Sequence, residues 1–163
     1  MLKISFATIA SLLACLTTLL CTSPALADGS STPYGGGGLV STTMDYARFC
    51  QMLLNGGVLD GSRIIGRKTL RLMASYHLGP GASIKGPLLS PGHGFGLGFA
   101  VRTHEGLAPF AGSVGQFFWS GMAGTFFWID PAEELFAVFM SQGPGQRVYL
   151  RDQVRSLVYA AVE

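Results

Sequence analysis

Acyl transfer at a side chain needs a nucleophile and a base within hydrogen-bond reach, and the short spacings that guarantee this are absent from the 163 residues. No Ser-x-x-Lys places a hydroxyl and an amine on one helix face, no Tyr-x-Asn is present, and no Gly-x-Ser-x-Gly marks a nucleophile elbow. An unaided site would have to join Ser113 or Ser120 to His93 or His104 through the fold. His77, His93 and His104 lie in loops or at strand edges without an i,i+4 partner, so exposed or hydrogen-bonded histidines are expected and no metal. No cofactor is expected either. The glycines of Gly94-Phe95-Gly96-Leu97-Gly98 sit inside an extended run rather than opening a helix after a strand, and mark close backbone approach or bulges.

Composition narrows the partners. Charged residues make up 12% of the chain and Gly accounts for 23 positions, which argues against charged disorder and against a coiled coil. The balance of 11 Lys+Arg against 9 Asp+Glu leaves no basic excess for a phosphate-binding surface, so no nucleic acid is expected as a partner.

Lys3 is followed by a charge-free stretch from Ile4 to Ala27 that ends in Ala25-Leu26-Ala27 before Asp28. A basic start, an apolar run and a small-x-small site predict a signal peptide over 1–27, cleaved after Ala27, and a periplasmic or secreted product. An uncleaved anchor is the alternative, since about 20 apolar residues can span a bilayer. Leu12-Leu13-Ala14-Cys15 also resembles a lipobox, but the apolar run continues beyond Cys15. Cleavage would leave Cys50 as the sole cysteine and exclude an intramolecular disulfide.

The segment 28–38 reads as a Gly-rich lead, and the domain as 39–163. Thr42 to Asp45 form a helix-start signal, Tyr46, Phe49, Cys50, Leu53 and Leu54 recur at helical spacing, and Asn55-Gly56-Gly57 supplies a stop. A helix over Thr43 to Leu54 is predicted, a turn at Leu59 to Ser62, a short helix over Arg67 to Ser75, and a long loop over Gly79 to Gly92. Strands are predicted at Gly94 to Arg102, Gln116 to Trp119, Thr125 to Ile129 and Leu135 to Met140, the last two joined by Asp130-Pro131-Ala132-Glu133. A final amphipathic helix sets Leu150, Val154, Leu157, Val158 and Ala161 towards the sheet, with Arg147, Arg151, Asp152 and Arg155 opposite. The fold class is α+β, an antiparallel sheet flanked by helices.

Four ordered segments carry a resemblance. Gly35 to Thr42 with Asp45 to Phe49 and Met52 to Gly57, then Gly94 to Phe99, Trp119 to Thr125, and Trp128 to Pro131 resemble the serine β-lactamase-related family, nearest to class C β-lactamases and family VIII esterases. The resemblance spans nearly all of Gly35 to Glu163 and implies the C-terminal part of a β-lactamase/transpeptidase-like fold.

It also implies a site. The family's Ser-x-x-Lys and Tyr-x-Asn precede the matched region, and its third motif, on a sheet edge, corresponds to Trp119-Ser120-Gly121. On this reading Trp119 and Ser120 bind substrate, and Gly121 and Met122 lie on the oxyanion strand, with the Met122 amide as one of two donors. Such a donor lowers an acyl-transfer barrier by roughly 3 to 4 kcal/mol. Trp119 stands where the β-lactamases carry a lysine that can hold a carboxylate, which favours ester over β-lactam substrates. Trp119 could equally be a core aromatic, and Ser120 could orient substrate or satisfy a backbone group.

The expected function is therefore a truncated serine hydrolase of ester or amide acyl groups, inactive alone, that acts on a small-molecule substrate once an N-terminal fragment complements it. The alternatives are a non-catalytic exported binding module and an autonomous small esterase. Self-association through an exposed apolar edge is expected of the isolated domain.

Overall fold

A computed structural model describes residues 41–79 and 89–162. The expected signal peptide with its Ala27 cleavage site, Cys15, and the Gly-rich lead lie outside the described residues. The elements below belong to the unit Thr43–Glu163.

Helix α1 spans Thr43–Leu54, with Cys50, Met52 and Leu53 buried. Its stop has a physical cause: the Gly57 amide donates to the Met52 carbonyl at 2.8 Å and the Gly56 amide to the Leu53 carbonyl at 3.1 Å, closing a Schellman motif. Asp60 and Gly61, both at positive φ, join β1 (Val58–Leu59) and β2 (Ser62–Arg63) in a tight hairpin, so the expected turn carries a short ladder. Helix α2 spans Arg67–Met73 and buries Leu70.

The main sheet is antiparallel, in the order β3-β4-β5-β6-β7: His93–Phe95, Ala100–Arg102, Phe117–Ser120, Phe126–Asp130 and Leu135–Phe139. Gly94 to Arg102 is thus a hairpin rather than the single strand expected. The chain reverses where Gly98 takes a φ of 93°, and Gly96 lies so close to α2 that a Cβ there would fall 2.2 Å from the Met73 carbonyl oxygen. The aromatic hairpin of β6 and β7 forms as predicted, in the register Phe126↔Phe139 to Asp130↔Leu135.

Each sheet face has its own core. Phe99, Val101, Phe117, Phe127 and Ile129 pack against α1 and α2 through Cys50, Met52, Leu53 and Leu70. Ala100, Phe118, Phe126 and Trp128 form the opposite face, joined by Val154, Val158 and Tyr159 of α3 (Arg147–Tyr159). Alternation along β5 and β6 explains the division, since successive side chains point to opposite faces.

Helix α3 corrects the expected orientation. Arg151 and Arg155 are buried at 8% and 1% exposure, whereas Leu157 is 71% exposed. With a turn of 3.6 residues, Arg151, Val154, Arg155 and Val158 share one stripe, and the helix rests on that stripe. The rings beneath make this possible: the Arg155 guanidinium lies 4.2 Å from the Phe118 centroid and 4.4 Å from that of Phe110. Aromatic faces accept a cation that an aliphatic floor would reject.

Candidate active site

The expected motif lies at the end of β5, but β5 is the third of five strands and not an edge. Among the described residues it nonetheless lacks a strand partner on one side over its last two residues. Strand β4 pairs with Phe117 and Phe118, whereas Trp119 and Ser120 pair on the β6 side, with Phe127 and Phe126. Trp119 is half-buried and meets Phe95 edge-on at 5.0 Å, which makes it both a packing residue and part of the opening.

A tight turn follows. The Gly121 amide donates to the Thr125 carbonyl at 2.7 Å, so Gly121 holds the turn and has no free donor for a substrate. The Gly121 carbonyl accepts from the Gly124 amide at 3.2 Å. In a trans peptide the C=O and the next N–H point in opposite directions, so this bond turns the Met122 N–H out of the turn. The Met122 side chain is 81% exposed. The turn is anchored from outside as well: Ser141 Oγ donates to the Gly124 carbonyl at 3.0 Å and the Gly143 amide to the Ala123 carbonyl at 2.8 Å.

Helix α3 holds the other side of the motif. Arg147 donates to the Met122 carbonyl at 3.1 Å and Arg151 to Ser120 Oγ at 3.4 Å, while Arg155 stacks on Phe118. Ser120 is therefore held by a cation, not by a base that could take its proton.

The fold does not assemble the serine–histidine pairs of an autonomous esterase. Ser113 Oγ donates to Glu133 at 3.3 Å, His104 Nδ1 lies 3.0 Å from Thr103 Oγ1, and His93 Nδ1 lies 3.0 Å from the Ser90 carbonyl. Burial, reinforced by Arg155 and Arg102 nearby, lowers the His93 pKa despite that carbonyl contact. Burial pushes the Cys50 thiol up to about 12, and burial followed by the neighbouring Cys50 raises Tyr46, so neither is poised as a nucleophile or base. Among the described residues no group of His, Cys, Asp and Glu could hold a metal ion.

One polar network escaped the sequence reading. Asp130, fully buried, accepts from the Ser113 amide at 2.9 Å, from Tyr159 Oη at 2.7 Å and from the Ala132 amide at 3.3 Å, and Gln116 donates to Tyr159. Burial, then the bond to Asp130, raises the Tyr159 pKa, so this phenol is a donor that ties α3 to the sheet. The only sequence signal was Asp130 at the head of the hairpin turn. A depression of about 500 Å³ borders this network, lined by Glu105, Ala111, Gly112, Ser113, Glu133, Tyr159 and Val162; it includes none of Trp119 to Met122.

The family model named Beta-lactamase matches residues 17–160. Protein Rv1367c of Mycobacterium tuberculosis (strain ATCC 25618 / H37Rv) and "Uncharacterized protein MT1414" of strain CDC 1551 / Oshkosh are each 37% identical over 113 residues, which cover 66% of this chain and 28% of theirs. The chain thus spans under a third of the length of these relatives. Among solved structures, "EstCE1, a hydrolase with promiscuous acyltransferase activity" shares 28% identity at a TM-score of 0.67, over 84% of this chain and 35% of that one.

Proposed function

The chain belongs to the Beta-lactamase family, and from that premise we propose that it supplies the oxyanion strand of a serine hydrolase site that cleaves ester or amide acyl groups. Its nucleophile, with the accompanying lysine and tyrosine, comes from polypeptide outside these 163 residues, and the chain alone is inactive. The observation that carries this reading is the Met122 N–H, turned outward from the turn that follows a strand whose last two residues lack, among the described residues, a strand partner on one side. A preorganised amide at such a position meets the charge that develops on a carbonyl oxygen.

Trp119 occupies the position of the family's cation, so neutral esters are preferred over substrates that need a carboxylate held. Export to the periplasm or medium, with cleavage after Ala27, completes the proposal.

The test is hydrolysis of short-chain nitrophenyl esters and of a chromogenic cephalosporin. The purified chain should turn over neither, and ester turnover should arise on addition of an N-terminal fragment carrying Ser-x-x-Lys and Tyr-x-Asn. A folded complex that a phosphonate probe cannot label would overturn the oxyanion assignment and leave a non-catalytic binding module.

A further inference from the structure

We propose that the arginine cluster between α3 and the sheet is a binding site for a small oxyanion, a carboxylate or a phosphate, held by Arg155 and Arg102. It adjoins the motif strand through Arg151 but does not depend on the acyl-site reading.

Arg155 and Arg102 are 1% and 4% exposed, and both address the same ring, Phe110, at 4.4 and 5.9 Å. Arg102 Nη1 donates to the Phe110 carbonyl at 3.0 Å. Among the described residues, Arg155 Nε and Nη2 and Arg102 Nε are buried without an acceptor. The rings do not remedy this. A cation–π contact uses the flat face of a guanidinium, whereas its five N–H donors lie in the plane and point out from its edges.

Charge sharpens the argument. Arg151, 8% exposed, adds a third cation. The Asp152 carboxylate lies 3.8 Å from Arg151 Nε, hydrogen-bonds neither Arg155 nor Arg102, and keeps its own Oδ1 buried without a donor among the described residues. Asp130 is occupied by Ser113, Tyr159 and Ala132. Burial, then Arg151 close by, lowers the Arg155 pKa to about 9 against the opposing pull of Tyr159 and Asp152, which leaves it protonated at neutral pH. A buried charge is tolerated when it is paired and hydrogen-bonded. Water would satisfy the N–H groups but leave the charge, while an oxyanion answers both with short, charge-assisted bonds in the guanidinium plane. Phe110, on the segment between β4 and β5, covers the guanidiniums, so the proposal requires its ring to move aside for the ligand.

The experiment is thermal unfolding of the purified protein titrated with sodium phosphate and with sodium acetate, against sodium chloride at matched ionic strength. At least one oxyanion should raise the melting temperature saturably, by roughly 10 degrees at about 100 times its dissociation constant, and chloride should not. Which of the two acts identifies the ligand class. Arg155→Met should abolish the response and, without oxyanion, melt at or above the native temperature, because it removes a buried charge that no carboxylate hydrogen-bonds. Arg102→Met should weaken the apparent affinity at least about tenfold. A flat titration with both oxyanions, an equal rise in chloride, or an unchanged response in Arg155→Met would each overturn the site. Should Arg155→Met not fold, Arg102→Met and titration calorimetry of the native protein decide: unaltered affinity or no saturable heat refutes it.

Discussion

Arg151 Nη1 donates to Ser120 Oγ across 3.4 Å, and the contact is the middle rung of a ladder between α3 and β5. Arg155, Arg151 and Arg147 meet Phe118, Ser120 and the Met122 carbonyl in turn. The two spacings agree: four helix residues rise about 6 Å and two strand residues about 6.6 Å. Three arginines one turn apart can therefore address every second residue of β5 and of the turn that follows it, which run the other way.

Loosening one rung should act on the motif more than on the whole fold. Arg147→Ala removes an exposed hold on the Met122 carbonyl and should cost under about 1 kcal/mol of stability. Amide exchange from Met122 to Thr125 should accelerate severalfold, measured by native-state hydrogen exchange. An unchanged exchange profile would show that the ladder does not steady the turn.

The Asp130 network should matter more. Tyr159→Phe deletes the 2.7 Å bond and should destabilise by about 1 to 2 kcal/mol. Asp130→Ala leaves the phenol and the Ser113 amide unpaired and should cost more, read as the denaturation midpoint at constant m.

Alkali should weaken the fold through Cys50. Its thiol rises from 9.0 to about 12 on folding, so the folded state holds the proton more tightly and binds more protons than the unfolded state in that interval. Stability from this group is whole below pH 9 and is lost as pH climbs through 12. Cys50→Ala should flatten that part of the pH profile, and native Cys50 should resist alkylation at pH 8 until the chain is unfolded.

The outer face of α3 should be sticky. Leu157 and Tyr149 are 71% and 65% exposed, and the β7 edge adds an unpaired strand among the described residues. The protein should bind a hydrophobic dye or self-associate, and Leu157→Lys should reduce both by fluorescence and sedimentation. A dye-negative, monodisperse native protein would refute this.

Export should leave a chain that begins at Asp28, as determined by N-terminal sequencing of the periplasmic or secreted product. A soluble cytoplasmic product that retains Met1 would contradict it.

Much of this architecture was legible from local signals. The helix over Thr43–Leu54 needed only its apolar spacing and the two glycines that stop it, and the β6–β7 hairpin needed only alternating aromatics around Asp130-Pro131. The motif strand was found because its residues stand in a recognisable order. All of these depend on residues near each other in the chain.

Side-chain pairing across distant segments was not legible. Periodicity placed the arginines of α3 towards solvent because, along the helix alone, a guanidinium belongs in water. Only the assembled sheet brings Phe110, Phe118 and Trp128 beneath them, and three rings from three segments can bury a cation that no single segment could. The same holds for Asp130, which the chain presents as a turn residue and the fold surrounds with donors 17 and 29 positions away. The sequence by itself determined the bounds of the Thr43–Leu54 helix and the existence of the β6–β7 hairpin, since apolar spacing and turn chemistry are local, whereas the reversal at Gly98 that splits Gly94 to Arg102 into two strands was not legible from that spacing. Tertiary structure alone decided which charges are buried, since burial depends on neighbours that the chain order does not specify.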